Sequence, residues 1–139
     1  MIEGFITIVP DKEKAKSVIK MADTTLKMIG SINQKEFPSN AIKEYYEVLR
    51  EFISVVLLLD GLKVKGEGAH KNLIDYLGYN YKEFNQSEIS LLDDLRTLRN
   101  RISYDGFFVS EDYLERRRKD ILHLIEKARN LSLKKLTSK

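Results

Sequence analysis

Between positions 95 and 106 the chain reads Leu-Arg-Thr-Leu-Arg-Asn-Arg-Ile-Ser-Tyr-Asp-Gly, a stretch dense in groups that hold phosphate. At 100° per residue, Arg96, Arg99, Asn100, Ser103 and Tyr104 fall on one arc of a helix. That arc lies next to a stripe of Leu91, Leu95, Leu98 and Ile102. The four-residue spacings Arg96/Asn100, Arg99/Ser103 and Asn100/Tyr104 bring a guanidinium, an amide and hydroxyls onto neighbouring turns. Guanidinium groups match phosphate oxygens bidentately, so the chemistry to expect is anion binding. The ordinary role of a helical arginine is different: pairing with a surface acid, here Asp93 or Glu111, and pattern alone favours it.

Other residues qualify as secondary candidates. Arg50 sits at the polar edge of the second predicted helix, and Arg117 and Arg118 belong to the run Arg116-Arg117-Arg118-Lys119, which a helix spreads around its circumference. His70 begins a short third helix, where capping or packing is its commonest use. His123, between Leu122 and Leu124, reads as a surface residue. Neither histidine is spaced with further ligands into a metal site, and a chain without cysteine has no thiolate zinc site, disulfide or thiol nucleophile. The glycines at 61, 66 and 68 lack the Gly-Lys-Ser/Thr ending of a phosphate loop, and Asp93 and Asp94 are adjacent and so diverge. No metal or cofactor is expected. Tyr45, Tyr46, Tyr79 and Tyr81 are of the type that stacks on bases, with Tyr45 assigned instead to the core.

These side chains need a scaffold, and composition points to an all-α one. The 139 residues are 42% hydrophobic and 32% charged, with two prolines and seven glycines, a low density of helix breakers. The length suits one domain, 1–139. A mixed apolar segment at 2–9 reads as an extended N-terminal arm. Pro10-Asp11 then opens a helix reaching about Gly30, with Ala15, Val18, Ile19, Ala22, Leu26 and Ile29 at helical spacing. Ser39 and Asn40 are read as caps for a second helix over 41–60, apolar around most of its circumference except Glu47, Arg50, Glu51 and Ser54, and therefore buried on several sides. Glycines 61–68 stop it. A third helix is expected over 69–76, a fourth from Ser87 to Asp105, and a fifth over 111–133 capped by Ser110, followed by a frayed basic tail at 134–139. The expected architecture is an up-and-down bundle of about five helices. No run approaches the ~20 apolar residues of a membrane span, nor does the start resemble a signal peptide, so a soluble cytoplasmic protein is expected. A net charge of +3 and a pI near 9.0 suit a phosphate-bearing partner.

The fourth-helix ending, together with the Tyr-Tyr-rich helix closing in Leu-Leu-Asp-Gly and the segment Ala-His-Lys-Asn-Leu-Ile-Asp-Tyr-Leu, resembles the HEPN domain (higher eukaryotes and prokaryotes nucleotide-binding) over roughly 41–131. The resemblance implies a helical bundle, commonly homodimeric. It also implies nucleotide or RNA binding and a setting of the toxin–antitoxin or defence type, sometimes beside a small nucleotidyltransferase. In nuclease members an Arg, usually followed by a polar residue such as Asn, precedes a His by several positions, and both act in a cleft across the dimer without metal. Arg99 and Asn100 match the start of that pattern, but Tyr104 stands where the His would fall. A tyrosine with its ordinary pKa near 10 is a poor base at neutral pH, so the resemblance implies binding more firmly than catalysis.

Three functions follow from this reading. The leading one is nucleotide or RNA binding through Arg96, Arg99, Asn100, Ser103 and Tyr104. The second is a metal-independent RNase in which Tyr104 or His70 replaces the family His, with Arg99 stabilising charge. The third is a helical module that only dimerises.

Overall fold

The computed structural model describes residues 4–66 and 68–138 and is an all-α helical bundle of five helices with one small two-stranded sheet. In chain order these are β1 (Phe5–Thr7), α1 (Lys12–Ser31), α2 (Pro38–Leu59), β2 (Leu62–Val64), α3 (Ala69–Asn80), α4 (Gln86–Asp105) and α5 (Glu111–Thr137). Ile2 of the expected arm and Lys139 of the expected tail lie outside the described residues. No helix among the described residues is long and apolar enough to cross a membrane.

The centre of the bundle is α2, as its nearly continuous apolar surface requires. Ala41, Ile42, Val48, Leu49, Phe52, Ile53, Val55 and Val56 are all buried, and α1, α3, α4 and α5 each pack on a different side of it. Around it, α1 presents Ala15, Ile19, Ala22 and Ile29, α4 presents Leu91, Leu92 and Leu95, and α5 presents Leu114, Ile121, Leu124, Ile125 and Ala128. The α4 stripe thins toward its end: Leu98 and Ile102 are only half-buried, so the C-terminal half of α4 rises out of the core with the arginines it carries.

Several boundaries differ from expectation for local reasons. Helix α2 starts at Pro38, whose fixed φ and missing N–H suit the first helical turn. Ser39 and Asn40 are thus inside the helix rather than capping it, and buried Ser39 accepts a 2.7 Å hydrogen bond from the Val109 N–H. Helix α3 continues to Asn80 because Gly78 is a packing glycine, not a stop: a Cβ there would meet Ile89 Cγ1 of α4 at 3.3 Å. Helix α4 is capped two residues before Ser87, by Asn85 and Glu88 in a reciprocal capping box. It ends at Gly106, whose φ of 65° is the left-handed turn that glycine adopts without strain. Asp11 and Ser110 cap α1 and α5 as expected, accepting from the N–H groups of Lys14 and Tyr113.

Two larger corrections concern the ends. The arm is a strand: Phe5, Ile6 and Thr7 pair antiparallel with Val64, Lys63 and Leu62, so the glycine-bounded segment after α2 is half of a small sheet. The basic tail is not frayed, for α5 stays helical to Thr137 and Lys135 Nζ lies 2.5 Å from Asp60 Oδ1. Asp60 also accepts hydrogen bonds from Tyr76 Oη (2.8 Å) and Tyr81 Oη (2.6 Å), joining the end of α2 to α3, to the loop after it and to α5. Burial pushes both phenols above the usual tyrosine range, and the bonds to Asp60 push them further.

Candidate functional site

The arginines of α4 meet α2 and the start of α3. Arg96 Nε sits 2.8 Å from Asp93 Oδ1, the surface pairing expected of a helical arginine, and the same carboxylate lies 3.5 Å from Lys71 Nζ on α3. Arg99 does otherwise. Among the described residues it has no carboxylate partner; its Nη1 donates to Asn100 Oδ1 at 3.2 Å and to Tyr104 Oη at 3.3 Å, and its guanidinium lies 5.8 Å from the Tyr104 ring centroid. The trio Arg99, Asn100 and Tyr104 is therefore assembled by one helix, Tyr104 being 75% exposed and Arg99 half-buried. Ser103 is exposed beside them.

Tyr46 and Glu47 of α2 and His70 of α3 lie within electrostatic reach of Arg99, with Arg50 of α2 acting on the same three groups. Arg50 donates from Nε and Nη2 to the Glu47 carboxylate, in an i,i+3 pair that is about one-third exposed. The arginine holds the Glu47 carboxyl below its usual range against the opposing effect of burial, with Arg99 and His70 adding to the lowering. Tyr46 is almost fully buried, its ring 6.0 Å from the His70 imidazole. Burial raises the Tyr46 phenol to about 12, even though Arg96, Arg50 and Arg99 all pull the other way. His70 moves in the opposite sense. Burial first, then the positive charges of Arg50 and Arg99, lower its pKa below the ordinary value; Glu47 opposes them, and Arg96 adds a smaller push. Three guanidiniums thus bear on one tyrosine and one imidazole, and the imidazole is the neutral base near pH 7.

The remaining candidates lie elsewhere. Arg117 pairs with Asp120 at 3.2 Å in a polar cleft lined also by Asn85, Ser87, Glu88 and His123, at the start of α4 rather than its end. Arg118 donates to Gln34 Oε1 at 3.0 Å and ties α5 to the α1–α2 turn, the same oxygen accepting from Tyr45 Oη. Of the four tyrosines of base-stacking type, Tyr45 is core as expected, Tyr46 is equally buried, Tyr81 is engaged by Asp60, and Tyr79 alone offers an exposed ring. His123 is exposed, 3.8 Å from Glu88. No group of three or more His, Asp or Glu residues among those described is placed to hold a metal ion.

Sequence reading offered Tyr46 as a base-stacking residue, where the structure buries it beside His70, and missed Glu47 as part of this site. The i,i+3 spacing of Glu47 and Arg50 was its one local signal; their proximity to Arg99 is tertiary. Comparison with protein-family models, with curated proteins and with solved structures finds no match to this chain. The functional reading therefore stands on these residues and their arrangement.

Proposed function

We propose that the chain binds the phosphate of a nucleotide or RNA at the junction of α2, α3 and α4, with Arg99 as the principal phosphate ligand. The observation that supports this most is the asymmetry among the arginines: Arg50 and Arg96 are held by Glu47 and Asp93, while the half-buried Arg99 is held only by neutral partners. A guanidinium oriented by an amide and a phenol keeps its full charge for a ligand, whereas one already paired has given most of it up. Asn100 and Tyr104 fix its position, and Arg96 and Arg50 supply surrounding positive potential. In this reading the chain acts as a homodimer in a toxin–antitoxin or defence setting, as the resemblance to HEPN proteins implies, with a small nucleotidyltransferase as a further partner. Filter binding of labelled RNA tests it: Arg99→Ala sharply lowers retention while the protein stays folded by circular dichroism. Retention equal to the wild type contradicts it.

A second reading, metal-independent RNA cleavage, is favoured by one observation. The pKa of His70 is lowered by burial and by the charges of Arg50 and Arg99, so at neutral pH it is a free base able to take the proton of a ribose 2′-hydroxyl. Arg99 would then stabilise the charge building at phosphorus. RNA incubated with the protein in EDTA across a pH series separates the two: cleavage lost in His70→Ala supports an RNase, and intact RNA at every pH removes it.

A further inference from the structure

Behind Arg50 and His70 lies a cavity of about 270 Å³ that the sequence did not announce, because the small sheet, with Ile8 after β1 and Leu62, Lys63 and Val64 of β2, builds one of its walls. Its wall is aliphatic: Val18 from α1, Val55 and Leu58 from α2, Leu62 and Val64 from β2, and Leu73 from α3 are among the residues that line it. Its polar groups are Lys14, Arg50, Ser54, Lys63 and His70, and no carboxylate lines it among the described residues. An apolar chamber whose charged edge is entirely basic selects a ligand that joins an apolar body to an anion.

Two features narrow that ligand. The volume lies just under the ~300 Å³ at the small end of ligand pockets, which fits one base-sized group and not a longer chain of them. Lys14, Arg50 and Lys63 donate only, and Ser54 already donates its hydroxyl to the Arg50 carbonyl at 2.8 Å, leaving oxygen lone pairs. A heterocycle with acceptor edges and a phosphate satisfies such a rim better than an acyl chain, which offers nothing to the lysines beside the chamber. Arg50 and His70 line the cavity, and His70 also feels the charge of Arg99, so the polar edge of the cavity is the side that faces the charged cluster.

We propose that this cavity takes the base of a nucleotide whose phosphate rests on the Arg99 cluster. The inference depends on the phosphate-binding reading above and adds to it the place and size of the base. Ser54 and the aliphatic wall hold the ring, with Leu62 and Val64 of β2 forming part of that wall.

Isothermal titration of the full chain with AMP, ribose 5-phosphate and hexyl phosphate tests this, using the wild type, Arg99→Ala, and two cavity-filling variants, Ser54→Leu and Ala69→Leu. The expected result is AMP binding about tenfold or more tighter than ribose 5-phosphate in the wild type. Either cavity-filling variant removes that preference without weakening ribose 5-phosphate, and Arg99→Ala weakens both ligands. Two cavity-filling variants guard against one failing to fold, which a thermal melt reports. Equal affinities of AMP and ribose 5-phosphate in the wild type, or a preference that survives in both filled variants, overturns the base pocket while leaving the phosphate site standing. Hexyl phosphate binding more tightly than AMP overturns the nucleobase as occupant. Ribose 5-phosphate binding that is absent, or indifferent to Arg99→Ala, overturns the phosphate reading and this inference with it.

Discussion

Removing the Asp60 carboxylate should cost more stability than any surface charge of the chain, and the structure allows the amount to be worked out. Asp60 accepts from two tyrosine hydroxyls and pairs with Lys135, its side chain being 16% exposed. Hydrogen bonds to a charged group contribute about 1.5–3 kcal/mol each, and an ion pair with a lysine one-quarter exposed adds at most ~1 kcal/mol. Water reaches part of the site, so Asp60→Ala is expected to cost near the low end of the sum, about 3–4 kcal/mol. For a chain of this length, between the size classes that lose ~2–4 °C and ~4–8 °C per kcal/mol, that is a fall in Tm of about 12 °C. Thermal denaturation followed by circular dichroism measures it, and a double-mutant cycle with Tyr81→Phe should show a coupling of at least ~1 kcal/mol. A loss under ~1 kcal/mol for Asp60→Ala, or coupling within error of zero, would refute the reasoning that this carboxylate ties α2, α3 and α5 together.

Glu51 is buried on α2 with no ion-pair partner among the described residues; burial and the neighbouring Glu47 and Glu44 carboxylates raise its pKa, with Arg50 only partly opposing them. A raised carboxyl pKa means the folded state binds more protons, so stability falls as pH rises above about 4.5; Glu51→Gln should therefore raise Tm at pH 7 and leave it unchanged near pH 3. His70 runs the other way. Its folded pKa lies below the ordinary ~6.5, so the unfolded state binds the proton and His70 lowers stability as pH falls through and below 6.5; His70→Gln should flatten that part of the profile of ΔG against pH. NMR titration of the imidazole should show its pKa rising when phosphate is added, because a phosphate offsets the charges of Arg50 and Arg99. Ser39→Ala leaves the buried Val109 N–H without its acceptor and should cost about 1–3 kcal/mol in urea denaturation.

The helices were legible because their signals are local and repeated. The stripe Ala15, Ile19, Ala22, Ile29 and the all-round apolar surface of α2 each place several residues on the same side of a helix, and Asp11 and Ser110 announce helix starts within four residues of the groups they cap. The sheet was not legible: strands of three residues are too short to show a period of two, and glycines 61, 66 and 68 read as breakers alone. The end of α5 was hidden for another reason. Lys135 is ordered by Asp60, 75 positions away, and nothing near Lys135 records that partner.

The site divides along the same line. Arg99, Asn100 and Tyr104 lie within six positions on one helix and could be read from spacing, whereas the burial of Tyr46, the pairing of Arg50 with Glu47 and the approach of His70 depend on how α2 and α3 cross α4. That Arg99, unlike Arg96 and Arg50, has no acid three or four positions away could be read from the chain; that no carboxylate of another helix reaches it among the described residues could not.

That unpaired arginine is the centre of the account, and the salt dependence of RNA binding measures it directly. Each phosphate contact on a single strand contributes about 0.7 to the slope of log K against log salt. For a short labelled RNA followed by fluorescence anisotropy, Arg99→Ala should lower the slope by about 0.7, and Arg50→Ala and Arg96→Ala by clearly less. Asp93→Asn, which frees Arg96 and Lys71, should raise both slope and affinity. A slope in Arg99→Ala equal to the wild type would contradict the claim that Arg99 holds the phosphate.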